Sequence, residues 1–181
     1  MKRLSVFLYS QILGKNIYDE FNDVLGSLKD IYVTTDEGYP RVIGYKVKKD
    51  GSTFNYEFKS ICVYDDNGRI VIKTVGSREI LARTYTYLLS RNLLDKNIVD
   101  INGKQVVRVN DMRMAEIAGE YRVVAVETGP LAKFRRMGMS GVGKVLYKFL
   151  KKDYEDKILM WDDVESIEMV NNNLQLSKSY K

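Results

Sequence analysis

The sequence predicts a mainly β protein made of two small β-barrels in tandem, related by internal duplication and joined by short helices. Three observations support this prediction. Similar stretches recur 81 positions apart, apolar and polar residues alternate in short runs, and turn-forming residues separate those runs. The predicted units span residues 1–76 and 93–181. A helical connector is predicted at 77–92, and a basic helical insertion at 130–157 inside the second unit.

The repeat is clearest where ILGKNIYD at Ile12–Asp19 is placed over LLDKNIVD at Leu93–Asp100. Residues 12–47 align with 93–128 without a gap, and nine positions are identical while apolar positions stay in phase. This regularity favours duplication of one unit. The positions predicted to be structural in both copies are Asp19, Asp30 and Gly38 in the first, and Asp100, Asp111 and Gly119 in the second.

The elements of the first copy follow from local residue chemistry. The start, MKRLSVFLYSQILG, is predicted to be a strand rather than a signal peptide, because polar residues interrupt it and no small-residue cleavage site follows. After the turn at 20–23, an apolar-rich run covers 24–33. The turn residues TTDEGYP then lead into a return strand that begins at Arg41.

The second copy repeats this order, with one irregular strand. INGKQ is a turn, VVRVNDMRMAEI a strand, AGEY a turn and RVVAVET the return strand. The alternation in the first strand breaks phase near Asn110–Asp111, which is typical of a β-bulge. Asp111, and Asp30 at the matching place, are predicted to accept backbone N–H bonds at the bulge. This structural role is favoured over a catalytic one.

Each copy is predicted to close in the same manner. FKSI at 58–61 and WDDV at 161–164 form a bent or short helical segment, and a hairpin with a final strand follows each of them. About 75 residues with some five short strands is a size that closes as a small barrel. The connector SREILARTYTYLLSRNLL is predicted to be helical, with Ser77 as its N-cap.

Composition restricts the chemistry available to the chain. There is no histidine, which removes Ser-His-Asp and Cys-His catalysis and histidine-ligated metal sites. Cys62 is the single cysteine and lies in an apolar run, so it is interpreted as a buried small hydrophobe. We therefore expect a protein that is not an enzyme, and we expect no cofactor and no small-molecule substrate.

The motifs in both copies resemble the PRC-barrel family. The resemblance rests on ILGKNIYD at 12–19, Leu25–Gly26 and Asp30, YPRVIG at 39–44, and WDDV at 161–164. A departure is Asp95, where the family often has glycine. A narrower similarity joins LLDKNIVD, Asn110–Asp111 and the strand RVVAV at 122–126 to the N-terminal part of bacterial MgtE-related magnesium transporters and CBS-domain proteins.

The resemblance implies a binding or scaffolding role. PRC barrels occur in the photosynthetic reaction-centre H subunit and in the ribosome-maturation factor RimM, without a shared enzymatic chemistry. The narrower similarity implies an interaction or regulatory module associated with bacterial magnesium transport. The alternative is an RNA- or ribosome-associated assembly factor of the RimM kind. The expected partners are other domains of a longer parent protein or a separate protein.

The insertion carries the predicted interaction surface. From Leu131 to Lys152 it contains seven basic residues and no acid. Three interpretations remain open: a helix packed on its own barrel, a docking surface for a protein partner, and a surface for anionic lipid or nucleic acid, of which nucleic acid is the weaker. The residues proposed for this surface are Phe134, Arg135, Arg136, Lys144, Lys148, Lys151 and Lys152.

Carboxylate pairs raise the question of a metal site. Magnesium prefers one or two carboxylates together with waters. Neighbouring acids on a strand or turn usually point apart, so no metal site is predicted, and weak candidates are the pairs Asp65–Asp66 and Asp162–Asp163. No apolar run approaches the roughly 20 residues of a membrane span. We expect a cytoplasmic location, with attachment to the inner face of the membrane as a further option.

Overall fold

Strands dominate the structure, a computed structural model that describes residues 1–34, 38–80, 87–100, 102, 105–139, 157–163, 167–170 and 173–176. This confirms the mainly β class predicted from the sequence. The strands in the first part of the chain are β1 Lys2–Arg3, β2 Val6–Leu8, β3 Asn16–Tyr18, β4 Val24–Val33, β5 Val42–Lys49, β6 Ser52–Glu57, β7 Ser60–Asp66, β8 Arg69–Val75 and β9 Arg78–Glu79.

The remaining elements continue the same pattern of short strands. The strands are β10 Tyr87–Leu88, β11 Asn97–Asp100, β12 Gln105–Arg108, β13 Asp111–Ile117, β14 Glu120–Glu127, β15 Ile158–Met160, β16 Ile167–Val170 and β17 Asn173–Leu176. The helices are α1 Tyr9–Ile12, α2 Leu89–Asn92, α3 Pro130–Arg136 and a 3₁₀ turn at Trp161–Asp163.

Two main sheets organise these strands. The larger has the order β1-β7-β8-β3-β4-β5-β6-β9, with β10 beside β4, and the smaller has the order β15-β14-β13-β2. Two separate hairpins are formed by β11 with β12 and by β16 with β17. Among the described strands no pairing joins β1 to β9, so closed barrels are not seen in the pairing pattern.

The two sheets exchange a strand. Strand β2, from the start of the chain, pairs antiparallel with β13, where Leu8 lies opposite Arg113. Strand β10, which begins the second half, pairs antiparallel with β4, where Tyr87 lies opposite Val33. Each half of the chain therefore completes the sheet of the other half.

The apolar core crosses from one half to the other. A single cluster of buried side chains includes Tyr9, Leu28 and Tyr45 from the first half and Met112 and Met114 from the second. All five are almost completely buried. Shared burial of this kind ties the stability of each half to the other, because separation would expose both surfaces to water.

Tyr121 is the clearest contact between the halves inside this core. Its ring packs edge-to-face against Phe7 with the centroids 4.9 Å apart. Its hydroxyl donates to the carbonyl of Leu4 at 2.8 Å and accepts from the backbone N–H of Val63 at 3.2 Å. Burial raises the pKa of this phenol, so it stays a neutral donor.

The predicted irregularities fall at matching places in the two copies. In the first copy, the pairing of β4 with β5 shifts register between Leu28 and Asp30. In the second copy, the corresponding strand is interrupted between Arg108, the end of β12, and Asp111, the start of β13. The sequence located the disturbance, but the bulge predicted at Asn110–Asp111 is a break between two strands, and the register shift of β13 against β14 lies between Arg113 and Met114.

The helical prediction for the connector is wrong for most of its described residues. Arg78 and Glu79 pair with β6, and Tyr87 and Leu88 pair with β4, so helix is confined to Leu89–Asn92. Residues 81–86 lie outside the described part of the chain. The edges of β4 and β6 offer backbone groups for pairing, and tyrosine prefers strands. These two effects outweigh the helical spacing of the apolar residues. Ser77 is not an N-cap, since its hydroxyl bonds to Tyr45 and Thr74.

The closing segments also differ from one another. Trp161–Asp163 is a 3₁₀ turn, as the bent or helical prediction allowed, whereas Phe58 and Lys59 form a short link between β6 and β7. The hairpin of β7 and β8 turns at Asn67–Gly68, where both residues have positive φ. Paired positive φ values are typical of the type I′ turn that matches strand twist.

We predict that Gly44→Ala destabilises the protein by about 1–3 kcal/mol. A Cβ atom at Gly44 would lie 2.6 Å from the carbonyl oxygen of Tyr56 on the neighbouring strand. The strands β5 and β6 would have to separate to accommodate it. Urea denaturation measures the change, and Lys48→Ala at an exposed position of β5 is the matched control, expected within about 0.5 kcal/mol. Equal stability of the two variants would contradict the close packing at Gly44.

Candidate interaction surface and the contacts that anchor it

A buried aspartate in the first half receives the helix of the second half. Asp30 is 6% exposed. Its Oδ1 atom accepts the backbone N–H of Ser90 at 2.8 Å, the N–H of Ile31 at 2.8 Å and the hydroxyl of Tyr9 at 2.7 Å. Ser90 lies in α2, so this carboxylate fixes the exchanged segment to β4. Burial and then the charge of Asp30 raise the pKa of Tyr9, which keeps its hydroxyl protonated as a donor.

The second half contains the reciprocal contact. Asp111 is fully buried and accepts the backbone N–H of Ser10 at 3.1 Å and the hydroxyl of Ser10 at 2.5 Å. It also accepts the N–H of Met112 at 2.8 Å. Ser10 lies in α1, directly after the exchanged strand β2. Each aspartate therefore holds a serine from the opposite half, and we call these two contacts the serine–aspartate latches.

The two latches differ in the charge of the groups that bind each aspartate. Asp111 also receives Arg135 from α3 at 3.3 Å, and the same guanidinium contacts Glu127 at short range. Arg113 pairs with Glu127 at 2.9 Å from the other side. We call Asp111, Arg113, Glu127 and Arg135 the α3 anchor. In the anchor, two arginines form ion pairs with two buried carboxylates. The described groups that donate hydrogen bonds to Asp30 are all neutral.

The electrostatics of Glu127 reflect this neighbourhood. Burial raises the pKa of its carboxyl, but hydrogen bonds from Arg135 and Arg113 outweigh burial, so that the net pKa lies below the ordinary glutamate value. The carboxylate is therefore held in its charged form.

A second ion-pair group lies at the end of α3. Arg136 binds both carboxylate oxygens of Asp95 at 2.8 Å and donates to the carbonyl of Asn110 at 3.1 Å. Arg108 approaches the same carboxylate at 3.2 Å. Burial raises the pKa of the Asp95 carboxyl, but the guanidinium groups of Arg136 and Arg108 lower it by more. The net pKa therefore lies below the ordinary aspartate value.

The residues proposed for the basic surface therefore divide into two groups. Arg135 and Arg136 are bound to acids of their own chain, and Phe134 is half-buried beside them. Arg135 and Arg136 hold α3 onto β13, β14 and the Asp95 turn. The remaining proposed residues lie outside the described part of the chain, namely Lys144, Lys148, Lys151 and Lys152.

Exposed apolar side chains lie near this anchored helix. Met137 and Met139, just after α3, are 56% and 37% exposed, and Ile158 and Met160 on β15 are 48% and 45% exposed. Strand β15 pairs with β14 on one side, and no described strand pairs with its outer edge. We call the outer edge of β15, with the exposed side chains of Ile158 and Met160, the β15 edge surface.

The paired acids do not gather into a metal site in the described residues. Asp65 accepts the backbone N–H of Gly68 at 2.6 Å, and Asp66 pairs with the N-terminal amine at 3.6 Å. Asp162 accepts the hydroxyl of Tyr39, and Asp163 follows it in the 3₁₀ turn. Where the structure is described, no group of three or more acidic or cysteine side chains is placed to hold an ion.

The other repeated positions support backbone turns and pairing. Asp19 accepts the N–H groups of Phe21 and Asp23, at 2.9 and 2.8 Å, and so shapes the turn before β4. Asp100 is buried at the end of β11. Gly38 and Gly119 both have positive φ, at 90° and 81°, and Gly119 forms the turn between β13 and β14.

Sequence reasoning missed the serines of the latches, and it missed Glu127 and Arg113 of the α3 anchor. Ser10 and Ser90 are 80 positions apart rather than 81, so an ungapped comparison does not align them. Glu127 and Arg113 have no counterpart of the same charge in the first copy, where Lys46 and Tyr32 stand at the matching positions.

The strand-rich fold described above is accompanied by a family match in the first half of the chain. Residues 5–79 match the PRC-barrel domain, so the chain contains a PRC-barrel domain in its first half. No curated protein matches the chain. In the described residues there is no helix with the length and hydropathy that crossing a bilayer requires.

Ser10→Ala is expected to lower the free energy of unfolding by about 1.5–3 kcal/mol, the range for a hydrogen bond to a charged group. In an Asp111→Asn background the same change should cost only about 1 kcal/mol, because the remaining bond is between neutral groups. Urea denaturation of the four proteins in this cycle measures the coupling. Ser52→Ala, at an exposed position of β6, is the control. Additive effects would show that the hydroxyl of Ser10 does not interact with the charge of Asp111.

The α3 anchor predicts a specific pH dependence. Because the pKa of Glu127 is depressed in the native state, its stabilising contribution is present above the unfolded pKa of about 4.3 and is lost as pH falls through the native pKa. Glu127→Gln should therefore lose less stability than the wild type between about pH 5 and pH 3. The exposed Glu79→Gln is the control and should follow the wild type. Parallel curves for all three proteins would contradict the depressed pKa.

Proposed function

We propose that the chain consists of two PRC-type units related by duplication, which exchange their first strands. Support comes from pairs of equivalent residues in equivalent contacts. Asp30 and Asp111, 81 positions apart, each bind a serine of the opposite half. Arg41 and Arg122, also 81 apart, face each other in an antiparallel bridge between the halves.

Backbone conformations add to this support. Gly14 and Asp95, again 81 apart, both have positive φ and donate to the carbonyls of Leu28 and Val109, at 2.9 and 2.8 Å. Aspartate tolerates this left-handed conformation better than most residues, so the substitution preserves the turn. In the same way β15 pairs with β14 as β6 pairs with β5.

We infer that this assembly is a non-catalytic interaction module and that the β15 edge surface receives its partner. The observation that carries the proposal is the contrast between equivalent edges. Strand β6 is covered by β9, through Tyr56 opposite Glu79, whereas the outer edge of β15 has no partner strand in the described residues. An edge strand with exposed apolar side chains is a template for strand addition.

The partner we propose is an extended, acidic segment of another protein domain. Main-chain hydrogen bonds would add it to β15, while Ile158 and Met160 would contact its apolar side chains. Lys133 on α3 is exposed, and Lys157 directly precedes β15. The chain as a whole carries a net charge of +5, which favours an acidic segment. Flexible methionines such as Met137 and Met139 adapt to varied partner shapes.

The cellular setting we propose follows from the similarity to MgtE-related proteins. It is a regulatory or scaffolding role in bacterial magnesium transport, with the chain at the cytoplasmic face of the membrane. In that setting the acidic segment belongs to a transporter or CBS-type domain. An RNA-associated role of the RimM kind is the alternative, and the basic stretch 131–152 favours it.

Site-specific photo-crosslinking in cells that express the protein tests the proposal. A benzophenone side chain at position 160 should capture one acidic protein, and the same group at exposed Lys15 should not. In the protein that carries the benzophenone at position 160, Ile158→Glu should reduce capture about tenfold or more through charge repulsion and lost apolar contact. Val106→Glu, a comparably exposed apolar position on β12, is the control.

The identity of the captured molecule decides between the settings. A divalent-cation transporter or its regulatory domain supports the magnesium association, and ribosomal RNA or a ribosomal protein supports the alternative. Equal capture at positions 160 and 15, unaffected by Ile158→Glu, would overturn the assignment of the β15 edge surface.

A further inference from the structure

A cleft opens where the two halves meet. Its volume is about 190 Å³. Three segments line it: residues 41–43 at the start of β5, residues 58–61 between β6 and β7, and residues 119–121 at the start of β14. The first two segments belong to one half of the chain and the third to the other. The cleft therefore exists only in the assembled protein.

The equivalent place in the second half contains a contact between a tyrosine and an aspartate. Tyr39 there donates its hydroxyl to the carboxylate of Asp162. At the cleft, position 120 corresponds to Tyr39 and carries glutamate, while Lys59 follows Phe58 as Asp162 follows Trp161. A tyrosine ring and a carboxylate are thus replaced by Glu120 and Lys59, and the space of the ring stays open.

The charges around the cleft favour an anion. Arg41 pairs with Glu120 at 3.2 Å, and Arg122 pairs with the same carboxylate at 3.0 Å. Lys59 brings a third cation, so that three basic side chains surround one acid. The stem of Lys59 packs over Gly76, since a Cβ atom there would lie 2.8 Å from it.

The apolar part of the lining suits a flat group. Phe58, Val42, Ile61 and Tyr121 line the cleft together with the charged residues. An apolar cavity of about 150 Å³ holds a benzene molecule, so a cleft of 190 Å³ has room for one ring and a short side arm. Polar atoms form the larger part of the accessible lining, and these apolar side chains form the smaller part.

We propose that this cleft binds a single aromatic ring that carries a carboxylate on a short arm. The ring occupies the space that Tyr39 fills in the other half and contacts Phe58. The carboxylate accepts hydrogen bonds from the ammonium group of Lys59, with Arg41 adding to the positive field. Such a group occurs in free aromatic acids and at the C-terminus of a peptide that ends in phenylalanine.

Amide-resolved NMR titration of the full chain with 3-phenylpropionate tests the proposal, at constant ionic strength. We expect saturable shifts, with a millimolar dissociation constant, confined to residues 41–43, 58–61 and 119–121. The uncharged isostere 3-phenylpropanol should bind about tenfold more weakly, because it lacks the charge-assisted hydrogen bond. Diffuse, non-saturating shifts with both compounds would overturn the proposal.

Two variants make the test specific. Lys59→Glu should weaken 3-phenylpropionate about tenfold or more and leave 3-phenylpropanol unchanged, whereas the exposed Lys15→Glu, with the same change of charge, should leave both unchanged. Lys59→Asp with Glu120→Tyr recreates the Tyr39–Asp162 pair and should abolish binding by filling the cleft. The amide spectrum of each variant reports whether it folds. Equal affinity in the wild type and Lys59→Glu would overturn the role of Lys59.

The source of the ligand is distinguished by a second pair of probes. N-acetyl-Gly-Phe with a free carboxylate is compared with its C-terminal amide. Binding of the free-acid peptide but not the amide assigns the cleft to a protein C-terminus, while binding of 3-phenylpropionate alone assigns it to a free aromatic acid. Failure of every probe overturns the cleft proposal and leaves the β15 edge surface unaffected, because that surface is tested by crosslinking at a separate place.

Discussion

The carboxylate of Asp111 is the contact on which the joining of the two halves most depends. It has no exposed surface, so its charge must be satisfied by protein groups. Ser10 provides two of them, from the far end of the chain, and Arg135 provides a third. Because Ser10 follows β2 directly, satisfying this charge also places β2 against β13. A local electrostatic requirement thereby fixes a long-range pairing and the edge of a sheet.

The reciprocal latch at Asp30 gives the opposite half the same constraint. With α2 bound to Asp30 and α1 bound to Asp111, neither half can complete its sheet alone. Tyr121 and the shared apolar cluster reinforce the junction from within, since the Tyr121 hydroxyl bridges Leu4 and Val63. The consequence is a rigid frame in which α3, β15 and the cleft hold fixed positions. Binding surfaces on such a frame lose little conformational entropy when a partner arrives.

The sequence predicted the positions of the strands better than it predicted which strands pair with each other. Alternating residues located β4, β5, β13 and β14, because the side-chain period is a local property. The exchange of β2 and β10 could not be predicted in this way, since Val6–Leu8 pairs with residues more than 100 positions away. The roles of Arg135 and Arg136 were hidden for a related reason. The sequence grouped them with the basic residues of the predicted interaction surface, but their acids, Glu127 and Asp95, come from a strand and a turn outside the helix.

The two proposed binding places lie at matching positions where the halves carry different residues, rather than at positions where the residues are identical. Lys46 and Tyr32 in the first half are replaced by Glu127 and Arg113 in the second, and these substitutions create the α3 anchor. The anchor holds α3 against β13, and among the described strands none covers the outer edge of β15 as β9 covers β6. At the cleft, Glu120 stands at the position that matches Tyr39, and Lys59 stands at the position that matches Asp162. In the proposed duplication, identical aspartates maintain the shared framework, while the two proposed binding places lie where matching positions differ in charge or size.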